Sequence, residues 1–360
     1  MRPAHRWGLA AVATALIMLA PYAGHLRPTR DPAIGTADLV AAVRDSSGAA
    51  YSGTVDVQGS LGLPIADRFT DLADLFGGET RLRVWWRDSG DWRVDRLLET
   101  GEVDLFHQGP QTVEWSYERG EARASIDPEI RLPRSADLLP PEVAQRALDG
   151  VAASDVHRLP PRRIAGIDAA GLRIDITDDR STLRQVDVWV DPATRVALAA
   201  DVYGDGAARP ALTTTFTTFS GHRPGDDVTR FRPRRNVAVS RERVLDIADA
   251  ANQFAPVDPP ETVAGLPRTT GHAAAVYGSG LTRLLVVPLP PHEADELAYR
   301  LEESGAPLVH GQRLLRVGPL GVMVTGGSGP YGAHWLVTGP LTDDALLDAA
   351  SDLGTGARPQ

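Results

Sequence analysis

The feature that most constrains the fold of this chain is a two-residue periodicity between Arg81 and Arg119. Four β-segments follow one another there, at residues 81–87, 92–99, 103–108 and 112–118. Short polar turns containing Gly, Asp or Pro separate them, and turns of this length and composition reverse a strand into its neighbour. The pattern therefore predicts a four-stranded antiparallel meander.

Side chains alternate between two faces along this meander, because successive residues of a strand point to opposite sides of the sheet. We expect the large apolar residues to share the concave side of a curved sheet: Val84, Trp86, Trp92, Val94, Trp115 and Tyr117. The opposite side carries Arg81, Arg83 and Arg87. These arginines are either the solvent side of the sheet or a basic patch at a pocket mouth, suited to an anionic head group or an acidic partner.

The meander also concentrates aromatic rings, since four of the seven tryptophans lie within it. Such a surface must be covered. Two interpretations stay open, a plain hydrophobic core and a ligand cavity that is kept partly open. A segment at 61–78 that carries Leu72 and Phe76 at helical spacing is a candidate cover.

The surrounding sequence extends this sheet into one unit at 36–220. A short amphipathic helix is predicted at 36–46, a first strand at 51–59 and a second helix at 137–150. Further strands are predicted at 166–177, 183–190, 196–203 and 212–219, with Ile174 and Val188 on inward-facing positions. About eight strands and their helices therefore form the first domain.

A change of composition marks a second domain. Residues 221–239 are rich in arginine and proline and are predicted to be a linker. Ser240 is placed to cap a helix through Gln253, and hairpin, helix and strand patterns alternate after it. Residues 240–355 are therefore predicted to form a small α+β domain.

The N-terminus has the layout of an export signal. Basic residues precede an apolar run of about 14 residues from Trp7 to Ala20, which Pro21 ends. The run is short for a membrane span, which needs about 20 residues, although the residues after Pro21 could extend it. We interpret residues 1–30 as a cleaved signal peptide or an uncleaved membrane anchor. Either one places the protein outside the cytoplasm.

Several classes of chemistry are disfavoured by the residues. The formal net charge of −10 argues against nucleic-acid binding, and the absence of cysteine excludes thiolate catalysis and Cys-ligated zinc. Gly327-Ser-Gly-Pro-Tyr-Gly332 fits GxGxxG, but a strand rather than a helix is predicted after it, which indicates a hairpin loop. No histidine pair has metal-site spacing. We predict no cofactor, metal or catalytic residue, with a hydrolase whose site is assembled in space as the remote alternative.

A set of short motifs, taken in order, resembles the LolA superfamily. The motifs are Tyr51-Ser-Gly-Thr54, Val84-Trp-Trp-Arg87, Asp91-Trp-Arg-Val-Asp95, Trp115-Ser-Tyr117 and Val188-Trp-Val-Asp-Pro192. The similarity is greatest to the two-domain RseB/MucB-like branch of actinobacterial type. It covers roughly residues 36–220, and the second domain is similar only loosely.

The resemblance implies an α+β fold, in which a curved antiparallel half-barrel sheet has helices on its concave face and a small α+β domain follows. It implies a non-enzymatic extracytoplasmic protein that binds a lipid or acylated ligand. In RseB-like members it implies a regulator that binds the extracytoplasmic part of an anti-sigma factor. The expected cavity lining is Leu72, Phe76, Val84, Trp86, Trp92, Val94, Leu105, Trp115, Tyr117, Ile174 and Val188.

Overall fold

A computed structural model describes residues 28–60, 76–128, 130–233, 237, 239–241, 257–327 and 332–359. Five helices occur in this part of the chain: α1 (Thr36–Arg44), α2 (Pro140–Leu148), α3 (Asp226–Thr229), α4 (Pro291–Glu303) and α5 (Asp343–Gly356). Short 3-10 turns lie at Asp45–Gly48, Ser135–Leu138 and Ala153–Asp155. Most of the remaining residues form two sheets.

The first sheet has twelve strands: β1 (Tyr51–Gly59), β2 (Glu79–Asp88), β3 (Asp91–Leu98), β4 (Gly101–Gln108), β5 (Gln111–Ser116), β6 (Glu121–Ile126), β7 (Val156–Ile164), β8 (Ile167–Asp175), β9 (Leu183–Val190), β10 (Ala197–Gly204), β11 (Leu212–Ser220) and β12 (Val239–Arg241). Their order is β12-β6-β5-β4-β3-β2-β1-β11-β10-β9-β8-β7. The sheet is curved and open, and only the β12–β6 pair is parallel. The predicted meander is β2–β5.

Besides the short edge strand β12, two of these strands were missed by the sequence analysis. β7 contains Pro160 and Pro161, which cannot donate ladder hydrogen bonds, and such residues are tolerated because β7 is the last strand of the sheet. β6 is mostly polar, and its two small apolar residues, Ala122 and Ala124, are buried. Neither strand has the apolar alternation on which the prediction depended.

Helices cover one face of this sheet, which we call the inner face. α1 and α2 pack over β8–β10 through a cluster that includes Leu39, Val143 and Leu148. The 3-10 turn Ser135–Leu138 packs on β3, where Leu138 and Leu139 join the cluster around Val94. The opposite side is the outer face.

Gly53, in the first of the sequence motifs, permits a close approach of two strands. A Cβ at this position would stand 2.1 Å from the carbonyl oxygen of Thr218 on β11. The register of β1 and β11 shifts just beyond this point, between Thr54 and Val55. A larger residue would therefore push β11 away from β1.

The second sheet has eight antiparallel strands: β14 (Thr262–Val263), β15 (Leu266–Gly271), β16 (Ala275–Ser279), β17 (Thr282–Leu289), β18 (Leu308–Val309), β19 (Gln312–Val317), β20 (Leu320–Val324) and β21 (His334–Gly339). Adjacent residues of β19 face different helices, since Leu314 packs with the α5 cluster and Leu315 with the α4 cluster. A separate pair joins β13 (Val257–Asp258) to β22 (Arg358–Pro359). The chain is thus an α+β protein with a large sheet and a smaller one.

The helix cap predicted at Ser240 needs a correction. Ser240 does not cap a helix, because it lies in β12 and its hydroxyl donates to the carbonyl of Ala122 at 3.3 Å. The first residues assigned to the second domain therefore extend the edge of the first sheet. The helix predicted through Gln253 and the signal at 1–27 lie outside the described residues. Within the described ranges no helix is both long and apolar enough to cross a membrane.

Candidate functional site

A row of stacked rings crosses the inner face of the first sheet. Strand pairing places Tyr51, Trp86, Trp92 and His107 side by side on β1 to β4. The ring centroids of Tyr51 and Trp86 are 5.8 Å apart, those of Trp86 and Trp92 are 5.4 Å apart, and those of Trp92 and His107 are 4.9 Å apart. Each pair is within 13° of parallel. The register of the meander builds this row, because directly opposed residues share a face.

The ring row is closed to solvent except at its end, where His107 is half-buried. Trp86 and Trp92 are only 5% and 6% exposed, and they cluster with Leu138 and Leu139 from the covering segment. Burial lowers the pKa of His107, so that its imidazole is neutral at pH 7 where it stacks on Trp92. In the described chain this part of the inner face is a packed core.

A polar group at the end of the ring row has the residue types of a hydrolase site but a different geometry. The Thr112 hydroxyl donates to Asp127 at 2.8 Å and stands 2.9 Å from Nδ1 of His107. Arg134 donates to both Thr112 and Asp127. The carboxylate thus holds the hydroxyl rather than the imidazole, and Thr112 is 2% exposed. A catalytic triad needs a histidine oriented by the acid and an accessible nucleophile.

The predicted cavity residues fall into several groups. Trp86 and Trp92 belong to the ring row, and the next row of the inner face contains Val84, Val94 and Leu105. Phe76 is half-buried against the same cluster. The same face carries Ile174 and Val188, but they are fully buried beneath α1 and α2. Leu72 lies outside the described residues.

Two of the predicted residues lie on the wrong face. Trp115 pairs with Asp104 and Ala122 on the outer face, and Tyr117 follows it beyond the end of β5 with 59% of its surface exposed. The expectation that they share a side with Trp86 is therefore wrong. The physical reason is register: the β4–β5 turn sets Thr112 opposite His107, so that Val113 and Trp115 point outward.

The outer face of β2–β4 is lined by ion pairs as well as aromatic rings. Asp95 and Asp104 are direct neighbours across β3 and β4, and both are buried. Arg93 donates to Asp95 at 2.6 and 2.9 Å and to Asp104 at 2.8 Å, while Arg83 donates to Asp95 at 3.2 Å and to Glu102. Arg93 also stacks on Trp85 and Phe106 at 5.1 and 4.6 Å.

Three carboxylates of this group, Asp95, Glu102 and Asp104, bring their oxygens within 4.8 Å of one another. Sequence reasoning missed them because they are spread over two strands. The signal that could have found them is the alternation itself, which places Glu102 and Asp104 on one face of β4 and Asp95 opposite on β3.

A cleft lies where the two sheets meet. It is a pocket of about 250 Å³ between the end of α2, the β8–β9 loop and β15–β17. The carboxylates in its wall are Asp149, Asp155, Asp175 and Asp178. Asp178 is bound by Arg180 at 2.8 and 2.9 Å, and this hydrogen bonding lowers the pKa of Asp178.

The walls of the cleft are tied together by backbone contacts. The amide of Thr342 donates to the carbonyl of Arg180 at 2.8 Å, and the amide of Thr182 donates to Pro340 at 2.9 Å. The guanidinium of Arg180 also donates to the carbonyl of Ala264 at 3.1 Å. The β8–β9 loop of the first sheet is therefore docked on the second.

Comparison with solved structures identifies the architecture. A crystal structure of MucB in complex with MucA(peri) superposes with a TM-score of 0.51 at 16% identity, over 91% of this chain and 99% of the MucB chain. The complex structure of Pseudomonas aeruginosa MucA/MucB gives the same TM-score and identity, over 90% and 99%. The chain has the two-domain fold of MucB. No protein-family model and no curated protein sequence matches it.

The MucB-like fold confirms the LolA-like, RseB/MucB-like architecture that the sequence motifs indicate. The superposition spans nine-tenths of the chain. At this level of identity the similarity establishes the fold and leaves the ligand to be argued from the residues themselves.

Proposed function

We propose that the chain is a non-enzymatic binding protein that works outside the cytoplasm and holds a segment of a membrane protein, of the anti-sigma-factor kind, in the cleft between its sheets. The observation that carries this proposal is the MucB-like two-domain body, which extends over almost the whole chain. MucB itself has been crystallised in complex with MucA(peri). Residues 1–30 supply the export signal or anchor that this location requires.

The cleft suits a peptide segment that carries basic side chains. Among the described residues Asp155 has no arginine partner, and Asp175 forms an ion pair with His157 at 3.2 Å and interacts electrostatically with Arg173. Ser279, Thr282 and backbone groups of β16 and β17 supply further hydrogen-bonding positions in the same wall. An arginine or lysine entering the cleft would therefore meet carboxylates that, among the described residues, form no salt bridge with a guanidinium group.

The cleft is also preorganised. Asp149 accepts from the amide of Gly280 at 3.1 Å, and together with the contacts of the β8–β9 loop this bond fixes the two walls relative to each other. A site whose walls are already held loses less conformational entropy when it binds. A partner segment that contacts both sheets would use the full width of this site.

The test is calorimetric titration of the protein with the purified extracytoplasmic segments of its host's membrane-bound anti-sigma factors. One segment should bind, and Asp155→Asn with Asp175→Asn should weaken it by about 3- to 30-fold, with less effect in high salt. The matched control is Asp56→Asn. Asp56 lies on β1, where its exposed carboxylate is paired with Arg81 of the neighbouring strand β2, and this variant should bind as the wild type does. Unchanged affinity in the double variant would place the partner elsewhere.

An acyl ligand on the inner face is the second candidate. The observation that favours it is the apolar ring row, with Phe76, Phe216 and Phe219 packed at its margin. Burial of an acyl chain contributes about 0.8 kcal/mol per methylene, so roughly ten methylenes give useful affinity. The covering residues Leu138 and Leu139 occupy this surface, and a ligand would have to replace them.

Native mass spectrometry of gently purified protein separates the two candidates. A bound amphiphile that is lost in Phe76→Ala, a change at the margin of the ring row, would support the acyl ligand. If the spectrum shows only the mass of the polypeptide, and an anti-sigma-factor segment binds in the cleft, the ligand is the peptide and not an amphiphile. The export signal is tested by fusing residues 1–35 to a reporter that is active only outside the cytoplasm.

A further inference from the structure

The outer-face ion cluster contains one more acid than its bases can neutralise. Its members are Arg83, Arg93, Asp95, Glu102 and Asp104, which amounts to two guanidinium groups and three carboxylates. Asp95 is fully buried, and the side chain of Asp104 is 8% exposed. The third negative charge therefore has no counter-charge inside the cluster.

One oxygen of the cluster lacks a donor. Oδ2 of Asp104 accepts from Arg93 at 2.8 Å, whereas its Oδ1 is buried and accepts no hydrogen bond. Asp104 and Glu102 are two residues apart on the same face of β4, with oxygens within 4.8 Å of each other. A buried acceptor without a donor is costly, and a proton shared with Glu102 would satisfy it.

A metal ion fits these carboxylates poorly. Arg93 already donates to both oxygens of Asp95, and Arg83 donates to Asp95 and Glu102. A divalent cation would have to displace both guanidinium groups to obtain its oxygen ligands. A proton needs only the space between two oxygens.

A segment after the last long strand of the first sheet lies over this cluster. We call residues 226–233 the strap. Its Phe231 ring lies 5.2 Å from Phe106 and 6.1 Å from Trp115, and a pocket of about 220 Å³ between strap and sheet is lined by Asp104 and Arg93. Upstream, Arg87 donates to the carbonyl of Pro224 at 2.5 Å.

The charged groups of the strap cannot compensate a new charge on Asp104 without moving. Asp227 faces the same pocket and would repel it. Arg230 is paired with Asp226 at 3.0 Å, and Arg232 is exposed. An ionised Asp104 would therefore face Asp227 across this pocket, and repulsion between the two carboxylates would push the strap away from the sheet.

We propose that Glu102 and Asp104 share one proton in neutral solution, and that loss of this proton in alkaline solution releases the strap from the outer face. The pH would therefore control whether the strap, which leads from the first sheet towards the second, is packed on the outer face. This control is independent of which ligand the cleft or the inner face binds.

The electrostatics of the cluster support this assignment. Burial, the neighbouring charge of Asp95 and the hydrogen bond to Glu102 raise the pKa of Asp104 to about 8. Burial opposes ionisation of Glu102 as well, but the hydrogen bond from Asp104 and the guanidinium of Arg83 bring the pKa of Glu102 below its usual value. The shared proton therefore resides on Asp104, which donates to Glu102.

The test is hydrogen exchange of the full chain between pH 6.5 and 9.0, corrected for the intrinsic pH dependence of exchange. Protection of the strap should fall by at least tenfold above pH 8 in the wild type. Asp104→Asn, which keeps a donor towards Glu102, should show constant protection, and Asp56→Asn should behave as the wild type does. Carbon-13 NMR of the side-chain carboxyls in the wild type should show one aspartate that titrates near pH 8.

Four results would overturn the proposal. The first is strap protection that stays constant across the range in the wild type. The second is the same loss of protection in Asp104→Asn. The third is a gain of protection above pH 8, which would mean that Arg232 turns inward to pair with Asp104 and tightens the strap. Absence of a high-pKa aspartate in the carboxyl spectrum contradicts the shared proton even if Asp104→Asn fails to fold.

Discussion

The two faces of β2–β4 are built from alternate residues of the same strands, yet different interactions stabilise the buried side chains on each face. On the inner face Trp86, Trp92 and Val94 are covered by apolar residues of the segment around Leu139. On the outer face Arg93 lies between aromatic rings and carboxylates. The inner face excludes water by packing, whereas the outer face buries charge by pairing it.

This difference predicts different sensitivities. Apolar packing responds to lost volume and hardly at all to pH, because no charge changes. A buried ion cluster responds strongly to any change in its charge balance and little to the loss of a methylene group. Matched substitutions on the two faces and in their covers can therefore separate the two kinds of burial.

The largest effect should come from truncating the ring row. We expect Trp86→Ala to lower the free energy of unfolding by about 3–5 kcal/mol, since a fully covered ring is replaced by a cavity. Trp85→Ala, the next residue on the outer face, should cost about 1 kcal/mol because its ring is half-exposed and held by Arg83 and Arg93. Urea denaturation measures both, and equal losses would contradict the distinction between the faces.

Neutralising a buried aspartate should change the free energy of unfolding in different ways in the inner cover and in the outer-face cluster. Asp137 anchors the inner cover by accepting from Arg131 at 2.6 and 2.9 Å and from the amide of Arg134 at 2.7 Å. Asp137→Asn should cost about 3 kcal/mol at pH 7, because it leaves the half-buried guanidinium of Arg131 with only the longer contact to Asp127 at 3.9 Å. Asp104→Asn should be neutral or stabilising. A destabilised Asp104→Asn protein would show that Asp104 is ionised.

The pH dependence of stability follows from the same two residues. Burial raises the pKa of Asp104, so the native state holds a proton that the unfolded chain has already released, and stability falls as pH rises from about 4 to about 8. This slope is at most about 1.4 kcal/mol per pH unit, and Asp104→Asn should remove it.

Asp137 has the opposite sign. Burial would raise its pKa, but the bonds from Arg131 lower it below the usual value. Its contribution is therefore present above about pH 4 and lost as pH falls through the lowered pKa. Denaturation curves from pH 3 to 9 on the wild type and both variants check these signs, and parallel curves for all three proteins would contradict them.

The smallest effect should come from the exposed pair of Arg81 and Asp56. Its side chains are 55% and 26% exposed, so water screens the 2.8 Å contact. Arg81→Gln should change the free energy of unfolding by less than about 0.5 kcal/mol, in the same denaturation assay. A loss above 1 kcal/mol would mean that this exposed ion pair of the outer face contributes as much as the buried cluster on the same face.

Much of the fold could be predicted because the sequence of the meander indicates where its strands and turns lie. Alternating residues and short turns located β2–β5 to within two residues at each end, and the motifs in order indicated the architecture. Trp115 and Tyr117 were misplaced because parity depends on how the β4–β5 turn closes, and one residue changes the face. The three carboxylates of the outer cluster likewise come together only once β3 and β4 are paired.

The candidate site was less accessible to sequence reasoning. A buried residue and a ligand-lining residue have the same apolar signature, so Ile174 and Val188 could not be told from core until α1 and α2 were placed over them. The cleft unites Asp149 and Asp175 with Ser279 across a long separation in the chain. The division into domains at 36–220 and 240–355, with a linker at 221–239, stays a prediction that limited proteolysis can test.

We propose that the cleft, and not the closed inner face, holds the partner. Hydrogen exchange of the full chain with and without the bound anti-sigma-factor segment distinguishes the two sites. New protection is expected at residues 149–155, 175–180 and 278–282, with the ring row around Trp86 and Trp92 unchanged. Protection confined to the ring row and its cover, with none in the cleft, would contradict it.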